Sequence, residues 1–180
     1  MTDKNKAIFL DRDGVINKEV GYLSNPDEFE LLVGTLEALK ILKEKGFILI
    51  IITNQAGIAR GYYSKEILEK IHDKMRILLK KNEIVLDDIF YCPHHPDFTG
   101  ECDCRKPKIG MIRKAQKKHN IDLLKSFMVG DTLNDVKTGL TANCKTVLVL
   151  TGYGSEEQNK NDLIKPDFIY ENLLEFAKSL

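Results

Sequence analysis

Short, uninterrupted apolar runs alternate along this chain with stretches where apolar residues return every three or four positions. Ala7-Ile8-Phe9-Leu10 is the first run, and it meets Asp11-Arg12-Asp13-Gly14 at once. Leu36, Leu39 and Leu42 follow at helical spacing, and Gly46 predicts that helix's end. Phe47 to Ile52 is apolar without alternation, the pattern of a central parallel strand covered on both faces. Ser64 is a candidate N-cap for a helix carrying Ile67, Ile71, Met75 and Leu78 on its core face. Ile89-Phe90-Tyr91 reads as a strand, followed by a helix with Ile112, Ala115 and His119 on one face. Phe127-Met128-Val129 and Thr146 to Leu150 predict two more strands, separated by a helix marked by Leu133, Val136 and Leu140. Asp167 to Tyr170 and a last helix close the chain, and residues 152–166 read as its most loop-like part.

Strands alternating with helices in this way predict an α/β fold: a parallel sheet with helices on both sides. At 180 residues, without internal repeats or linkers, the expectation is one domain spanning 1–180. Hydrophobic residues make up 43% and charged residues 30%, a globular rather than a disordered balance. Lys+Arg and Asp+Glu are equal at 27 each, so no basic excess exists for neutralising a phosphate backbone. Nucleic acid is therefore not expected as a partner. The start, MTDKNKAIFLD, resembles neither a secretory segment nor a spanning helix, and no other stretch has a bilayer's length. These readings lead to the expectation of a cytoplasmic monomer with no membrane partner, in a compartment where clustered cysteines bind metal more often than they pair.

Ligands of open α/β sheets bind at the carboxyl ends of the strands, so what each apolar run ends with matters. The first ends in Asp11-Arg12-Asp13-Gly14, the second in Thr53-Asn54-Gln55, and the fourth in Gly130-Asp131 with Asp135 soon after. A cysteine-rich loop after the third delivers Arg105-Lys106. Taken singly, each has a plain structural account as a turn, a strand exit, a helix cap or a solvated lysine. Together, two carboxylate clusters, a hydroxyl and a cation suit phosphoryl transfer. Mg²⁺ takes oxygen ligands from carboxylates and phosphate, and a Lys with hydroxyl and N–H donors meets the remaining charge. An Asp can attack phosphorus, and a second carboxylate can serve as acid and then base.

The stretches FLDRDGVIN, IITNQ, RKP and VGDTLND resemble the four signature motifs of the haloacid dehalogenase superfamily of phosphatases. The resemblance implies a three-layer Rossmann-like fold, with Asp11 as nucleophile and Asp13 as general acid/base. It implies Thr53 and Lys106 on the phosphoryl group. It also implies Mg²⁺ on Asp11, the Asp13 carbonyl and Asp131, with Asp135 in support. Neither insert, Gly14 to Ile52 or Thr53 to Lys106, has room for a cap domain, so loops must read the substrate.

The stretch YCPHHPDFTGECDCRKP holds three of the four cysteines. Soft thiolates with an imidazole suit a closed structural Zn²⁺ site, though C-x-H…C-x-C is not the common spacing. A disulfide, a redox pair and a fortuitous cluster are the rival readings, and Cys144 reads as a small core residue. DRDGVIN, TNQAGIARG, CPHH and CDCRKP together closely resemble the D-glycero-D-manno-heptose 1,7-bisphosphate 7-phosphatases, capless relatives of the histidinol-phosphatase domain. That resemblance implies zinc on Cys92, His94, Cys102 and Cys104 (loop 92–104), with His95 as the rival ligand. It implies a small sugar-phosphate substrate touching Asp11, Arg12, Asp13, Glu19, Val20, Gly21, Tyr22, Thr53, Asn54, Gln55, Ala56, Arg105 and Lys106. Arg60 is added as a cation near the mouth. The gap from Pro93 to Glu101 is short, which trims a substrate-facing loop and leaves anomer and sugar open. The alternatives are a histidinol-phosphate phosphatase and, from another class, a non-catalytic zinc-loop binding module. Zinc is expected to hold both Arg105 and Lys106 in place.

Overall fold

The computed structural model describes residues 4–160 and 163–180. The first three residues of the N-terminal reading, and two residues of the expected 152–166 loop, lie outside them. Six strands form one parallel sheet in the order β3-β2-β1-β4-β5-β6. They are β1 (Ala7–Leu10), β2 (Ile48–Asn54), β3 (Asp88–Cys92), β4 (Phe127–Gly130), β5 (Lys145–Val149) and β6 (Phe168–Tyr170). The chain builds outward from β1 to β3, then crosses back to lay β4 on β1's other side. The carboxyl ends of β1 and β4 therefore flank the point where the strand order reverses, where an open sheet leaves a crevice for ligand.

Alternate strand residues feed two separate cores. Ile8, Leu10, Leu49, Ile51 and Val129 pack with α1 (Thr35–Glu44), α2 (Lys65–Lys80) and α7 (Leu173–Ser179). Ala7, Phe9, Ile50, Ile52 and Met128 face the other way, onto Met111, Ile112 and Ala115 of α4 (Gly110–His119). The apolar runs lack alternation because both faces are covered, which gives three layers. Each fully buried Ile or Leu of β1 and β2 contributes about 1.5–3 kcal/mol of transfer free energy.

Ser64 caps α2, its hydroxyl accepting from the Ile67 N–H. Cys144 is buried in the second core, 5% exposed. Leu140 of α5 (Leu133–Thr141) departs from its expected core position and is 40% exposed. Gly139 takes the sheet contact instead: a Cβ there would lie 2.6 Å from Thr146 Cγ2 and 2.8 Å from Met128 Cβ. The helix approaches the sheet backbone-first, and that rotation turns Leu140 outward. His119 leaves the apolar face of α4 at its end, where Nε2 lies 2.8 Å from the Asp88 carboxylate.

The inserts between strands are small. A 3-10 turn at Pro26–Glu28 and α1 separate β1 from β2, and the stretch between β3 and α4 holds one helical turn, α3 (Pro96–Thr99). The expected loop after β5 holds another, α6 (Gly154–Glu157). No described helix is long and apolar enough to cross a membrane.

Candidate active site and zinc loop

Asp11 leaves β1 where the strand order reverses, and Asp131 leaves β4 beside it. One carboxylate oxygen from each and one from Asp135 lie within 4.8 Å of one another. Asp135 sits in the first turn of α5 as part of a capping box: its Oδ2 accepts from the Thr132 N–H (3.2 Å) and hydroxyl (2.6 Å). Its Oδ1 accepts from Lys106 Nζ at 2.5 Å, and the same ammonium lies 2.9 Å from Asp11 Oδ1. The Arg12 N–H also donates to Asp11 Oδ1, at 2.8 Å, fixing that carboxylate's orientation.

One cation faces three carboxylates here. Burial pushes Asp11 up to about 7 and Asp131 up to about 8, with neighbouring carboxylates adding to both shifts. Burial alone would lower the Lys106 pKa, but Asp11 and Asp135 outweigh it and hold the ammonium charged. A buried cluster of hard oxygen donors, short of positive charge, fits Mg²⁺. Room for it depends on two glycines. Gly14 (φ +78°) and Gly152 (φ +56°) approach so closely that a Cβ on either would meet Asp131 Oδ2 at 2.1 Å. Thr151 Oγ1 donates to the Gly14 carbonyl at 2.6 Å, and the Tyr153 N–H donates to Asp131 Oδ2 at 2.9 Å.

Asp13 is surrounded by donors. Its Oδ1 accepts from Arg12 Nη2 (2.8 Å) and Asn17 Nδ2 (2.9 Å), and its Oδ2 accepts from Arg12 Nη2 (2.8 Å) and Gln55 Nε2 (3.0 Å). Burial acts to raise its pKa, yet the Arg12 guanidinium and these hydrogen bonds outweigh it and hold the carboxyl below its usual range. Arg12 is 1% exposed, and its guanidinium engages Asp13 from within the protein. Behind it, His72 Nε2 lies 3.4 Å from Arg12 Nη1; burial, then the Arg12 charge, pushes that imidazole down to about 3. Thr53, 1% exposed at the end of β2, accepts from Gln55 Nε2 at 2.9 Å.

A cleft of about 230 Å³ opens beside these groups. Of the expected substrate contacts, Asp13, Glu19, Gly21, Tyr22, Asn54, Gln55, Ala56 and Arg105 line it. Val20 faces a neighbouring hollow, and Arg60 is not among the lining residues. Leu23, Tyr63 and Tyr153 complete the wall and were missed in the sequence. Tyr153 was within reach, since it stands at the exit of β5 just as Asp131 stands at the exit of β4. A larger cleft of about 340 Å³ lies by the amino end of β3, away from every carboxylate of the cluster.

The thiols converge after β3. Cys92, Cys102 and Cys104 sulfurs lie 3.0–3.6 Å apart, and His94 Nδ1 lies 3.7 Å from Cys92 Sγ and 3.4 Å from Cys104 Sγ. Ligands of a tetrahedral zinc with Zn–S near 2.3 Å stand about 3.5–3.8 Å apart, so the four atoms could hold such an ion once the 3.0 Å pair of Cys92 and Cys104 opens by roughly half an ångström. All four cysteines are free, which sets aside the disulfide reading. Without a metal, burial raises Cys92 and its hydrogen bond with Cys104 raises it further, an arrangement that a cation would relieve. His95 turns out of the cluster, with Nε2 3.0 Å from Arg60 Nη2.

The thiol cluster ends two residues before Lys106, yet that lysine has a second anchor. Asn54 Oδ1 accepts from the Lys106 N–H (3.0 Å), and Asn54 Nδ2 donates to the Lys106 carbonyl (3.2 Å). Arg105 depends on the loop itself, Nη1 donating to the His94 carbonyl at 3.2 Å. The Cys/His loop therefore contacts Arg105 directly, whereas Lys106 is also anchored by Asn54.

Comparison with known proteins fits this geometry. Residues 103–176 match a hydrolase family described as "HAD-hyrolase-like". A D-glycero-beta-D-manno-heptose-1,7-bisphosphate 7-phosphatase of Haemophilus ducreyi is 47% identical over 167 residues, covering 88% of this chain and 92% of that protein. The chain belongs to the heptose 1,7-bisphosphate 7-phosphatase family. A member from Escherichia coli K12 is 40% identical over 97% of this chain and 93% of its own. A member from Photorhabdus laumondii, named for the alpha anomer, is 43% identical over 96% of this chain and 98% of its own. The crystal structure of D,D-heptose 1.7-bisphosphate phosphatase from B. bronchiseptica, complexed with magnesium and phosphate, superposes with a TM-score of 0.90. It is 38% identical and covers 97% of each chain. Family membership makes the carboxylate cluster, and not the larger cleft by β3, the place to seek chemistry.

Proposed function

We propose that this chain is a Mg²⁺-dependent phosphatase, one haloacid dehalogenase-type domain with a zinc loop at 92–104. It frees the 7-phosphate of a D-glycero-D-manno-heptose 1,7-bisphosphate. The observation that carries the reading is Lys106 Nζ, within 2.9 Å of both Asp11 Oδ1 and Asp135 Oδ1, inside the carboxylate cluster where the strand order reverses. A nucleophile, a buried cation and a metal-binding carboxylate set meet there.

In the first half-reaction an Asp11 carboxylate oxygen bonds to phosphorus as the phosphorus–sugar oxygen bond breaks, and Asp13, having taken up the proton of the monoprotonated phosphate ester, passes it to the sugar oxygen. In the second, water bonds to phosphorus, the Asp11 ester bond breaks, and Asp13 takes the water's proton. The donors around Asp13 favour its carboxylate, the form the second half needs. Lys106 and Thr53 would meet the equatorial oxygens. Mg²⁺ on Asp11, the Asp13 carbonyl and Asp131, with Asp135 behind, would neutralise phosphoryl charge.

Arg105 is the wall residue suited to the second phosphate, because its planar fork can bind two oxygens at once. Glu19, half-buried in the same wall, is the acidic group a histidinol-phosphate reading needs for its amine. Its Oε1 is already engaged by the Gly21 N–H at 2.5 Å. Relatives are named for both anomers, so the deciding panel carries the α and β heptose bisphosphates, histidinol phosphate and a simple aryl phosphate, each with Mg²⁺ added and withheld. Phosphate release greatest from one of the heptose bisphosphates, and only with Mg²⁺, is expected. Faster turnover of histidinol phosphate would overturn the substrate assignment.

A further inference from the structure

Arg60 carries a charge into the region of the cleft without lining it, and its surroundings explain where that charge goes. Its Nη2 lies 3.0 Å from His95 Nε2. An arginine only donates, so Nε2 accepts from it, while Nδ1 faces the Asp97 backbone N–H at 3.3 Å and the Asp97 carboxylate at 3.6 Å. The guanidinium carbon lies 4.9 Å from the centre of the Phe98 ring and 6.0 Å from that of Tyr22. Tyr22 in turn meets Tyr62 edge-on at 4.7 Å. Arg60 Nε is buried without a partner, so its position is set by the other contacts.

Three segments meet at this one side chain: the zinc loop through His95 and Phe98, the cleft wall through Tyr22, and the turn after β2 through Arg60 and Tyr62. The short stretch between His94 and Cys102 contributes one stapled helical turn. His95 N–H donates to Thr99 Oγ1 at 3.0 Å, and that hydroxyl donates back to the His95 carbonyl at 3.1 Å. This turn presents Phe98 and His95 to Arg60. Tyr22 and Phe98 are 44% and 53% exposed, so core burial does not fix either.

We propose that Arg60 is a positioning residue that clamps the Glu19–Tyr22 wall of the cleft to the zinc loop, setting the grip on the sugar without contacting phosphate. The zinc loop then shapes both ends of the cleft: Arg105 directly, and Tyr22 through Arg60. The inference rests on the proposed reading only for the sugar's identity. If the wild-type protein hydrolyses neither heptose bisphosphate, the proposed function falls, and histidinol phosphate takes the sugar ester's place in the same comparison.

The test is a double-mutant cycle of Arg60→Ala and Phe98→Ala, with kcat and KM measured on the sugar bisphosphate and on an aryl phosphate, beside zinc content and Tm. Each single variant is expected to raise KM for the sugar ester about 10-fold, with kcat far less affected, and to shift the sugar-to-aryl ratio of kcat/KM by as much. The double variant is expected to be scarcely worse than either single one, because the two share one contact. Should Arg60→Ala not fold, Arg60→Gln with Phe98→Leu, which alters an exposed ring, runs the same cycle. Additive effects, a fall in kcat instead of a rise in KM, or an unchanged substrate ratio would overturn the clamp.

Discussion

The molecule has two clusters built for cations, and they are made in opposite ways. Asp11 leaves β1, while Asp131 and Asp135 come from the exit of β4 and the first turn of α5, and the three meet only because β1 and β4 are neighbours. The sheet positions them, and Lys106 and the α5 capping box hold them. Cys92, His94, Cys102 and Cys104 come from one short stretch outside the sheet, where only Cys92 is fully buried. A loop with so little core has little to fix its own shape, and a metal bound there would supply that free energy. The carboxylates would keep their arrangement without a metal and lose their chemistry. The thiols would lose their arrangement.

Breaking the carboxylate side should have the largest effect. Asp11→Asn keeps the shape and removes the nucleophile, and phosphate release is expected to fall about 10⁴-fold or more while the circular dichroism spectrum stays native. Activity near wild type would exclude the covalent route. Lys106→Met is next: turnover is expected to drop about 10³-fold, and urea unfolding to show a loss of about 3–5 kcal/mol. The stability loss arises because Asp11 and Asp135 would be left buried without their partner.

On the zinc-loop side, Arg105→Lys is expected to raise KM for the sugar bisphosphate about 10-fold and leave aryl phosphate kinetics nearly as they are, because an ammonium cannot bind two oxygens as the fork does. Equal losses on both substrates would place Arg105 at the reacting phosphate instead. The smallest effect tests the packing behind Asp13. His72 is held neutral in the fold, with its pKa lowered to about 3 by burial and Arg12. A depressed folded-state value means that the stability contribution is complete above the unfolded histidine's pKa, and is lost as pH falls from there towards 3. About 2 kcal/mol should be gone by pH 5 relative to neutral pH, and His72→Gln should lack that part of the decline. Parallel urea-midpoint curves for the two proteins would contradict it.

Much of this architecture is visible in residue order. The unalternating runs mark a sheet covered on both faces, and asking what each run ends with finds Asp11, Thr53 and Asp131 directly. The support behind them is not visible that way. Asn54 reaches Lys106 across the fold, and His72 looks like a polar residue on an otherwise regular amphipathic helix until Arg12 is seen beside it. Such contacts follow from tertiary approach, and neither periodicity nor spacing encodes them. Leu140 shows the converse. Its helical spacing is right, but the contact of Gly139 with Thr146 and Met128 decides which face the helix presents. Arg60, expected near the mouth, does not line the cleft, and the rings that engage its charge lie on two other segments.

The most direct test of the contrast between the two clusters is steady-state kinetics of phosphate release in two depleted preparations. One is stripped of zinc with Mg²⁺ present, and the other is zinc-loaded with Mg²⁺ withheld. The account predicts that the zinc-free protein keeps kcat to within about 3-fold while KM for the sugar bisphosphate rises about 10-fold or more, and that the Mg²⁺-free protein turns over nothing measurable. A zinc-free protein whose kcat collapses as completely as that of the Mg²⁺-free one, with its fold intact, would contradict it.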